Sequence, residues 1–247
     1  MTEIREGRLV VVTGASRGLG LAMASTLASE GFRVVALARR PTEALEAACE
    51  VAPFGAIQFM AADLGEIDAL QALVQRIKAE HGPVYGLVNN AALGTPGLLA
   101  TMSAARITEL VHLNTVAPMV LTKYLARGMM SAGAGRIVNV SSIIAFTGYN
   151  ALSVYAATKA SMIGFTKSLA REVGRLGVTV NAVAPGFIET SLTEGMDEAE
   201  RGRVANRSAL KRLAEPQDVA DAVAYLMSDK ARNITGTVLT IDAGSTA

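Results

Sequence analysis

Seven short runs of β-branched and other apolar residues alternate along this chain with longer Ala-rich amphipathic stretches. The runs cover residues 9–12, 33–37, 57–60, 84–88, 137–140, 178–181 and 238–241. The stretches between them predict helices over about residues 18–31, 41–51, 66–81, 103–131, 152–176 and 216–228. Alternation of strand and helix requires parallel strands joined by right-handed crossovers, and continuous apolar runs indicate strands covered on both faces. The sequence therefore predicts an α/β fold with a doubly wound, seven-stranded parallel sheet and helices on both faces.

The chain is long enough for one large core, since 51% of its 247 residues are hydrophobic. It contains no linker, repeat or low-complexity segment, so we predict a single domain over residues 1–247. The segment from about 186 to 214 carries charge, Gly and Met but no strand pattern. Long connections of this kind usually have a function, and we expect this one to be a substrate loop.

Charge and composition exclude several classes of partner. Lys plus Arg is 23 and Asp plus Glu is 22, so no excess charge favours nucleic acid or an anionic membrane. One cysteine, Cys49, cannot form an internal disulfide, and His81 and His112 lie far apart, so we expect no metal site. No uncharged apolar run approaches the roughly 20 residues of a membrane span, and the N-terminus lacks a signal-peptide core. We expect a cytoplasmic protein.

A glycine-rich turn follows the first strand and leads directly into the first helix. Glycines in such a turn let the backbone approach a pyrophosphate, and the helix N-terminus offers free N–H groups and partial positive charge. The position between strand and helix is the one that dinucleotide binding requires, although a plain Gly-rich connection is the simpler alternative. The predicted cofactor contacts in this turn are Gly14, Ser16, Arg17, Gly18, Leu19 and Gly20.

The residues at the end of the second strand indicate which dinucleotide binds. An NAD enzyme carries an acidic residue there to bind the ribose 2′-hydroxyl. This chain has Ala38, Arg39 and Arg40 instead. A guanidinium suits a phosphate dianion, so Arg39, Arg40 and Arg17 predict a site for the 2′-phosphate of NADP(H).

Tyr155 and Lys159 are four residues apart in an Ala-rich stretch and therefore lie on one face of the predicted helix. A phenol is a poor acid or base at neutral pH, but a neighbouring ammonium lowers its pKa by stabilising the phenolate. Ser142 follows the fifth strand, and ligands of open α/β sheets bind beyond the carboxyl ends of the strands. The three residues predict acid–base chemistry on a bound substrate, although Tyr-x-x-x-Lys alone is common.

Taken together, these motifs resemble the short-chain dehydrogenase/reductases, which have a Rossmann fold. The resemblance covers nearly the whole chain and is strongest to the 3-oxoacyl-acyl-carrier-protein reductase branch. The residues that carry it, in order, are Thr13 to Gly20, Asn89-Asn90-Ala91, Asn114, Ser142, Tyr155, Lys159, Pro185-Gly186 with the following Phe187 to Thr190, and Gly236.

The resemblance implies a role for each residue of the catalytic set. Tyr155 would donate a proton to a carbonyl oxygen as hydride arrives from the nicotinamide, and Ser142 would hydrogen-bond that oxygen. Lys159 would lower the pKa of Tyr155 and hold the nicotinamide ribose, and Asn114 would anchor a water that passes protons to Lys159. Asp63 would contact the adenine, Asn90 and Ala91 the adenosine ribose, and Ile188 and Thr190 the carboxamide. Leu64, Pro185 and Gly186 complete the implied cofactor contacts.

One departure concerns the carrier protein. The acyl-carrier reductases have basic residues just before the fifth and sixth strands, where this chain has residues 131–134 without charge and Leu176. Arg136 and Arg175 lie nearby and could replace them. The leading hypothesis is an NADPH-dependent reductase of a ketone or 3-oxoacyl thioester. The alternatives are an alcohol or sugar dehydrogenase working oxidatively, and a non-enzymatic dinucleotide sensor, against which the complete catalytic set argues.

Two of the predicted helices, about 103–131 and 152–176, carry apolar residues around much of their circumference. One face of each must cover the sheet, so a further apolar face indicates a second partner, unless both helices are simply large core elements. In the resembling family these helices pair across a two-fold axis, and the C-terminal region, here about 236–247, forms a second interface. Two such interfaces imply a homotetramer of D₂ symmetry.

Overall fold

All seven predicted strands are present in the computed structural model, which describes residues 7–188 and 198–247. They form one parallel sheet in the order β3-β2-β1-β4-β5-β6-β7, which confirms the predicted doubly wound topology. The strands are β1 (Leu9–Thr13), β2 (Arg33–Ala38), β3 (Ile57–Ala61), β4 (Val84–Asn89), β5 (Gly135–Val140), β6 (Val178–Pro185) and β7 (Val238–Ile241).

Helices cover both faces of the sheet, because successive strand residues point to opposite sides. On β1, Val10 and Val12 face the layer of α1, α2 and α9, whereas Leu9 and Val11 face α3, α5 and α7. None of the helices in the described part of the chain is long and apolar enough to cross a membrane. The α-helices are α1 (Gly18–Ser29), α2 (Glu43–Val51), α3 (Leu70–His81), α4 (Ala104–Val111), α5 (Ala117–Ala132), α6 (Ile144–Thr147), α7 (Ser153–Val173), α8 (Glu198–Arg207) and α9 (Pro216–Met227).

The expectation that every strand is covered on both faces is wrong for the two edge strands. In β3, the polar residue Gln58 and Ala61 are exposed, and in β7 Leu239 is 38% exposed. The central strands β1 and β6 are buried along their whole length in the single chain. An edge strand lacks a neighbour on one side, so helices cover it less completely than they cover the centre of the sheet.

The predicted helix 103–131 is interrupted in the middle. It consists of α4, a π-turn over His112–Val116, and α5. Pro118 has no N–H, so the Asn114 carbonyl four residues earlier lacks its usual helical donor, and the proline ring crowds that carbonyl. One turn of wider π-helix, in which the Ala117 N–H bonds the His112 carbonyl, accommodates the proline. The interruption puts Asn114 at an irregular turn.

The segment 186–214 contains regular structure that its sequence pattern does not predict. Helix α8 (Glu198–Arg207) lies within it, and Ile188 forms an isolated parallel bridge with Ala214. Residues 189–197, which include the predicted contact Thr190, lie outside the described residues. The substrate-loop assignment stays a prediction.

Candidate active site

A cleft of about 1290 Å³ runs along the carboxyl ends of the strands. It crosses the point where the strand order reverses, between β1 and β4, which is where open α/β sheets bind their ligands. Arg40 is exposed and does not line the cleft, and Asn114 is buried beneath it. The predicted site residues that line it are Gly14, Ser16, Arg17, Gly18, Leu19, Gly20, Arg39, Asp63, Leu64, Asn90, Ala91, Ser142, Tyr155, Lys159, Pro185, Gly186 and Ile188.

The glycines of the turn after β1 are required by its geometry. Gly14 and Gly18 have φ angles of +65° and +56°, a region that residues with a side chain rarely adopt. A Cβ atom on Gly20 would lie 2.1 Å from the Gly14 carbonyl oxygen, so any side chain there would push the turn open. The result is a bare backbone cradle at the N-terminus of α1, which fits the pyrophosphate of a dinucleotide.

Thr13, the last residue of β1, joins this turn to the end of β4. Its hydroxyl donates to the Val88 carbonyl at 3.2 Å and accepts from the N–H groups of Asn90 and Ala91 at 2.9 and 3.0 Å. The Asn90 amide in turn donates to the Thr13 carbonyl at 2.9 Å and contacts that of Gly14 at 3.3 Å. The two predicted cofactor segments are therefore held together by a buried hydroxyl.

Arg17 and Arg39 lie on the same cleft although 22 positions separate them in the sequence. The Ala15 N–H donates to the Leu37 carbonyl at 3.1 Å, which pairs the turn with the end of β2. Thr42, the N-cap of α2, donates its hydroxyl to the Ser16 carbonyl and holds the following loop against the turn. Both guanidinium groups are exposed, so they are available to a bound anion.

Lys159 is anchored at the carboxyl end of β5 through both its side chain and its main chain. Its ammonium donates to the Val140 carbonyl at 2.8 Å, and its main-chain carbonyl accepts from the Ser141 hydroxyl at 2.8 Å. The ammonium lies 5.6 Å from the centre of the Tyr155 ring, which confirms that the two side chains share one helix face. Because an ammonium has three hydrogens, two remain for a bound ligand.

Burial is the main influence on the pKa of both catalytic side chains in the protein without cofactor, and the lowering of the Tyr155 pKa by Lys159 stays a prediction. Burial raises the pKa of the Tyr155 hydroxyl from 10.0 to about 12, because an apolar surrounding disfavours the phenolate. Burial also lowers the pKa of Lys159 from 10.5 to about 8. At neutral pH Tyr155 is a protonated donor, and most of Lys159 carries its charge.

Ser142 is oriented by the backbone around it. The Ile144 N–H donates to its hydroxyl oxygen at 3.3 Å, whereas the hydroxyl hydrogen has only a distant contact, to the Pro185 carbonyl at 3.5 Å. A hydrogen bond of that length is weak, so the hydroxyl can turn to a better acceptor in the cleft. Gly186 lines the same wall of the cleft as Ser142 and Pro185. A Cβ atom at Gly186 would lie 2.7 Å from the Cβ atom of Asp242.

Asn114 uses its whole side-chain amide within the protein. Its Oδ1 accepts from the Leu93 N–H, and its Nδ2 donates to the Leu93 carbonyl, both at 2.8 Å. The second Nδ2 hydrogen points to the Thr158 hydroxyl at 3.2 Å. The side chain therefore has no free N–H donor for a water, and the role of Asn114 in anchoring one stays a prediction.

Two residues of the cleft, Arg106 and His112, belong to none of the motifs found in the sequence. Arg106 of α4 pairs with Glu109 and with the Thr95 hydroxyl, and His112 contacts the Gly65 carbonyl at 3.0 Å, next to Asp63. The position of Thr13 directly before Gly14 could have indicated its role. Arg106 and His112 could not be found in this way, because only the packing of α4 brings them to the cleft.

Of the two arginines considered for carrier-protein contact, one is inaccessible. The side chain of Arg136 is only 7% exposed and stacks over the ring of Tyr85 with 5.5 Å to its centre. Arg136 therefore cannot replace the missing basic residue before β5. Arg175, at the turn before β6, is exposed.

Comparison with known proteins gives the same family as the motifs. The family described as enoyl-(acyl carrier protein) reductase matches residues 14–246. The 3-oxoacyl-(acyl-carrier-protein) reductase FabG of Vibrio cholerae serotype O1 is 39% identical over 239 residues, which are 97% of each chain. The chain belongs to the short-chain dehydrogenase/reductase family. As a member of this family it is an oxidoreductase.

Two further relatives extend the comparison. The FabG reductase of Escherichia coli K12 is 37% identical to this short-chain dehydrogenase/reductase over 97% of each chain. A solved structure described as ElxO with NADP bound has a TM-score of 0.89 and 27% identity, covering 97% of this chain and 98% of that one. Family and fold predicted from the motifs are thus confirmed.

Proposed function

We propose that the protein is an NADP(H)-dependent reductase that transfers hydride to the carbonyl group of a ketone or a 3-oxoacyl thioester. One observation carries the proposal: Ser142, Tyr155 and Lys159 line the same cleft as the bare glycine turn. The similarity to 3-oxoacyl-(acyl-carrier-protein) reductases supports the reaction. The neighbouring fold described with NADP bound supports the cofactor.

The residues at the adenine end of the cleft suit NADP(H) better than NAD(H). Arg17 and Arg39 line it, and the strand end between them carries Ala38 instead of an acid. In our assignment the two guanidinium groups bind the 2′-phosphate and the glycine turn binds the pyrophosphate. Arg40 is left out of this assignment because it does not line the cleft.

The catalytic residues divide the reduction of a carbonyl between them. The nicotinamide, when bound, supplies the hydride that forms the new C–H bond. Ser142 donates a hydrogen bond to the carbonyl oxygen and stabilises the negative charge that develops on it. Tyr155, protonated at neutral pH, transfers its proton to that oxygen, which gives the alcohol. Lys159 stabilises the resulting phenolate, and the two remaining hydrogens of its ammonium would hold the ribose hydroxyls of the cofactor.

Proton return to Tyr155 requires a water near Lys159, and we assign its anchor to the main chain of Asn114. Both Nδ2 hydrogens of the side chain are bonded, to Leu93 and Thr158. The Asn114 carbonyl lacks an α-helical donor because Pro118 has no N–H. The sequence-based role of Asn114 thus stays a proposal, with the carbonyl as the group that acts.

The substrate end of the cleft favours an uncharged ligand. Ile144, Leu152 and Phe187 line it, and Tyr149 stacks edge-on against Phe187 with 6.0 Å between ring centres. These side chains offer an apolar and aromatic surface with few hydrogen-bonding groups. A ketone or acyl chain suits such a surface better than a sugar, whose hydroxyl groups would lose their hydrogen bonds to water.

The test is an activity assay on a panel of acetoacetyl thioesters, free ketones and sugars, each with NADPH and with NADH. The reaction is monitored through the loss of absorbance of the reduced cofactor. We expect ketones or thioesters to oxidise NADPH. We expect sugars neither to be reduced by NADPH nor to be oxidised by NADP⁺. Oxidation of a sugar by NADP⁺ without any ketone reduction would contradict the proposal. Free, coenzyme A-linked and carrier-linked acetoacetyl groups are compared to define the natural form of the substrate.

Tyr155→Phe tests the mechanism itself. The substitution removes the proton donor and keeps the ring, so we expect turnover to disappear while NADPH still binds. Turnover is measured by cofactor absorbance, and cofactor binding by the fluorescence of NADPH. Wild-type turnover by the variant at any pH would contradict the role assigned to Tyr155.

A further inference from the structure

Thr158 occupies the position between the two catalytic residues of α7. It is 2% exposed, and its hydroxyl both donates and accepts a hydrogen bond within the protein. The hydroxyl donates to the Tyr155 carbonyl at 2.7 Å and accepts from Asn114 Nδ2 at 3.2 Å. A buried threonine thus connects the catalytic helix to the π-turn.

The connection continues to the wall of the cleft. Asn114 binds both the N–H and the carbonyl of Leu93 at 2.8 Å, and Leu93 lines the cleft together with Tyr155. The result is one continuous chain of hydrogen bonds, from the backbone of Tyr155 through Thr158 and Asn114 to the backbone of Leu93. In this chain the amide of Asn114 is held in one orientation, because its Oδ1 faces the Leu93 N–H and its two Nδ2 hydrogens face two separate acceptors, the Leu93 carbonyl and the Thr158 hydroxyl.

We propose that Thr158 is a positioning residue, which keeps the catalytic helix, Asn114 and the Leu93 wall of the cleft in one arrangement. The inference rests on the proposed function, since it assigns Tyr155 and Asn114 their roles there. Loss of the Thr158 hydroxyl would leave one buried Asn114 hydrogen unbonded. The amide could then lower its energy only by turning, which would release Leu93.

The protein contains a matched control on the same helix. Thr166 is also completely buried, donates its hydroxyl to the Met162 carbonyl at 2.7 Å and accepts from Asn139 Nδ2 at 2.8 Å. Its surroundings therefore repeat those of Thr158, with a backbone acceptor on α7 and an asparagine donor. Its partners Met162 and Asn139 do not line the cleft, whereas the Thr158 chain ends at Tyr155 and Leu93, which do, so we expect replacement of Thr166 to cost stability without disturbing the reaction centre.

The experiment compares Thr158→Val, Thr158→Ser and Thr166→Val with the wild type, using the full chain, NADPH and the carbonyl compound that the wild type reduces fastest. Valine keeps the shape of threonine and removes the hydroxyl, and serine restores it. We expect Thr158→Val to lose about tenfold or more in kcat, the effect of one unbonded buried group, with NADPH affinity unchanged. We expect Thr158→Ser to recover kcat and Thr166→Val to lower Tm without lowering kcat.

Hydrogen exchange at the Leu93 amide gives a readout that does not depend on turnover. We expect faster exchange in Thr158→Val and wild-type exchange in the other two variants. Wild-type kcat and exchange in Thr158→Val would overturn the inference, as would a failure of serine to restore them or an equal loss in Thr166→Val. If the wild type reduces no carbonyl compound, the proposed function fails, and the exchange comparison still tests Thr158. If Thr158→Val does not fold, Thr158→Ala replaces it.

Discussion

At the scale of single residues, burial sets the protonation of the two ionisable groups at the proposed reaction centre. Tyr155 keeps its proton to about pH 12, and Lys159 loses its proton near pH 8. The reduction that we propose needs both groups protonated, since Tyr155 gives a proton and the ammonium stabilises the phenolate. We therefore expect activity at alkaline pH to be lost when Lys159 loses its proton, and not when Tyr155 does.

We accordingly expect kcat/KM for carbonyl reduction to fall as pH rises through about 8, where the free enzyme loses the Lys159 charge. The measurement is a pH profile of kcat/KM between pH 6 and 10, with pH jumps as the control for irreversible unfolding. A profile without a decline between pH 7 and 9 would contradict it.

The lowered pKa of Lys159 also predicts the sign of a stability effect. Between about pH 8 and 10.5 the unfolded chain keeps a proton on Lys159 that the folded protein has lost. The free energy of unfolding therefore rises with pH across this window. Below the window both states keep the proton, so the titration of Lys159 makes stability no more or less dependent on pH there. We expect the free energy of unfolding of the wild type to increase relative to Lys159→Met between those pH values, measured by urea titration. A constant difference would show that Lys159 titrates normally.

Cofactor choice is also a residue-scale property. The double variant Ala38→Asp with Arg39→Ser removes one guanidinium and adds the acid that a ribose 2′-hydroxyl prefers. Since a hydrogen bond to a charged group contributes about 1.5–3 kcal/mol, NADPH affinity should fall about ten- to a hundredfold while NADH affinity rises. Arg40→Ser is the matched control, because Arg40 does not line the cleft. An unchanged ratio of NADPH to NADH efficiency would refute the assignment.

At the scale of elements, the turn between β1 and α1 works only with an exposed backbone. Gly20→Ala would place a methyl group 2.1 Å from the Gly14 carbonyl oxygen, so the turn must open. We expect NADPH affinity to fall by about tenfold or more, because the N–H groups of the turn would lose their common direction. Gly174→Ala is the control, since Gly174 is exposed and a Cβ there meets no atom within 4 Å. Isothermal titration gives both affinities, and equal values would contradict the prediction.

At the scale of the whole molecule, exposed apolar side chains support the proposed homotetramer. Val111 and Val116 are exposed on α4 and the π-turn, and Leu239 is exposed on the edge strand β7. These positions fall within the two surfaces that the family resemblance implies as interfaces. Apolar groups left in water on an edge strand and a helix favour association with a second copy.

Light scattering should therefore give a mass four times the 25.7 kDa of the chain. Leu239→Glu puts a charge in the proposed β7 interface and should reduce the mass. Val51→Glu, at the exposed C-terminal end of α2 and outside both surfaces, should leave it unchanged. A fully active wild-type monomer at micromolar concentration would rule the tetramer out.

The sequence by itself determined the topology and most of the cleft. Continuous apolar runs require burial between helices, which predicts the sheet from local sequence. The glycines at 14, 18 and 20 are needed for a backbone that approaches a phosphate, so they predict the cofactor turn in the same way. Only the tertiary structure decided what depends on contacts between distant segments. It buried Arg136 on Tyr85, left Arg40 outside the cleft, bonded the Asn114 amide to Leu93, and raised the pKa of Tyr155. Desolvation and hydrogen-bond saturation depend on all neighbours of a group, and those neighbours come from parts of the chain that no local pattern connects.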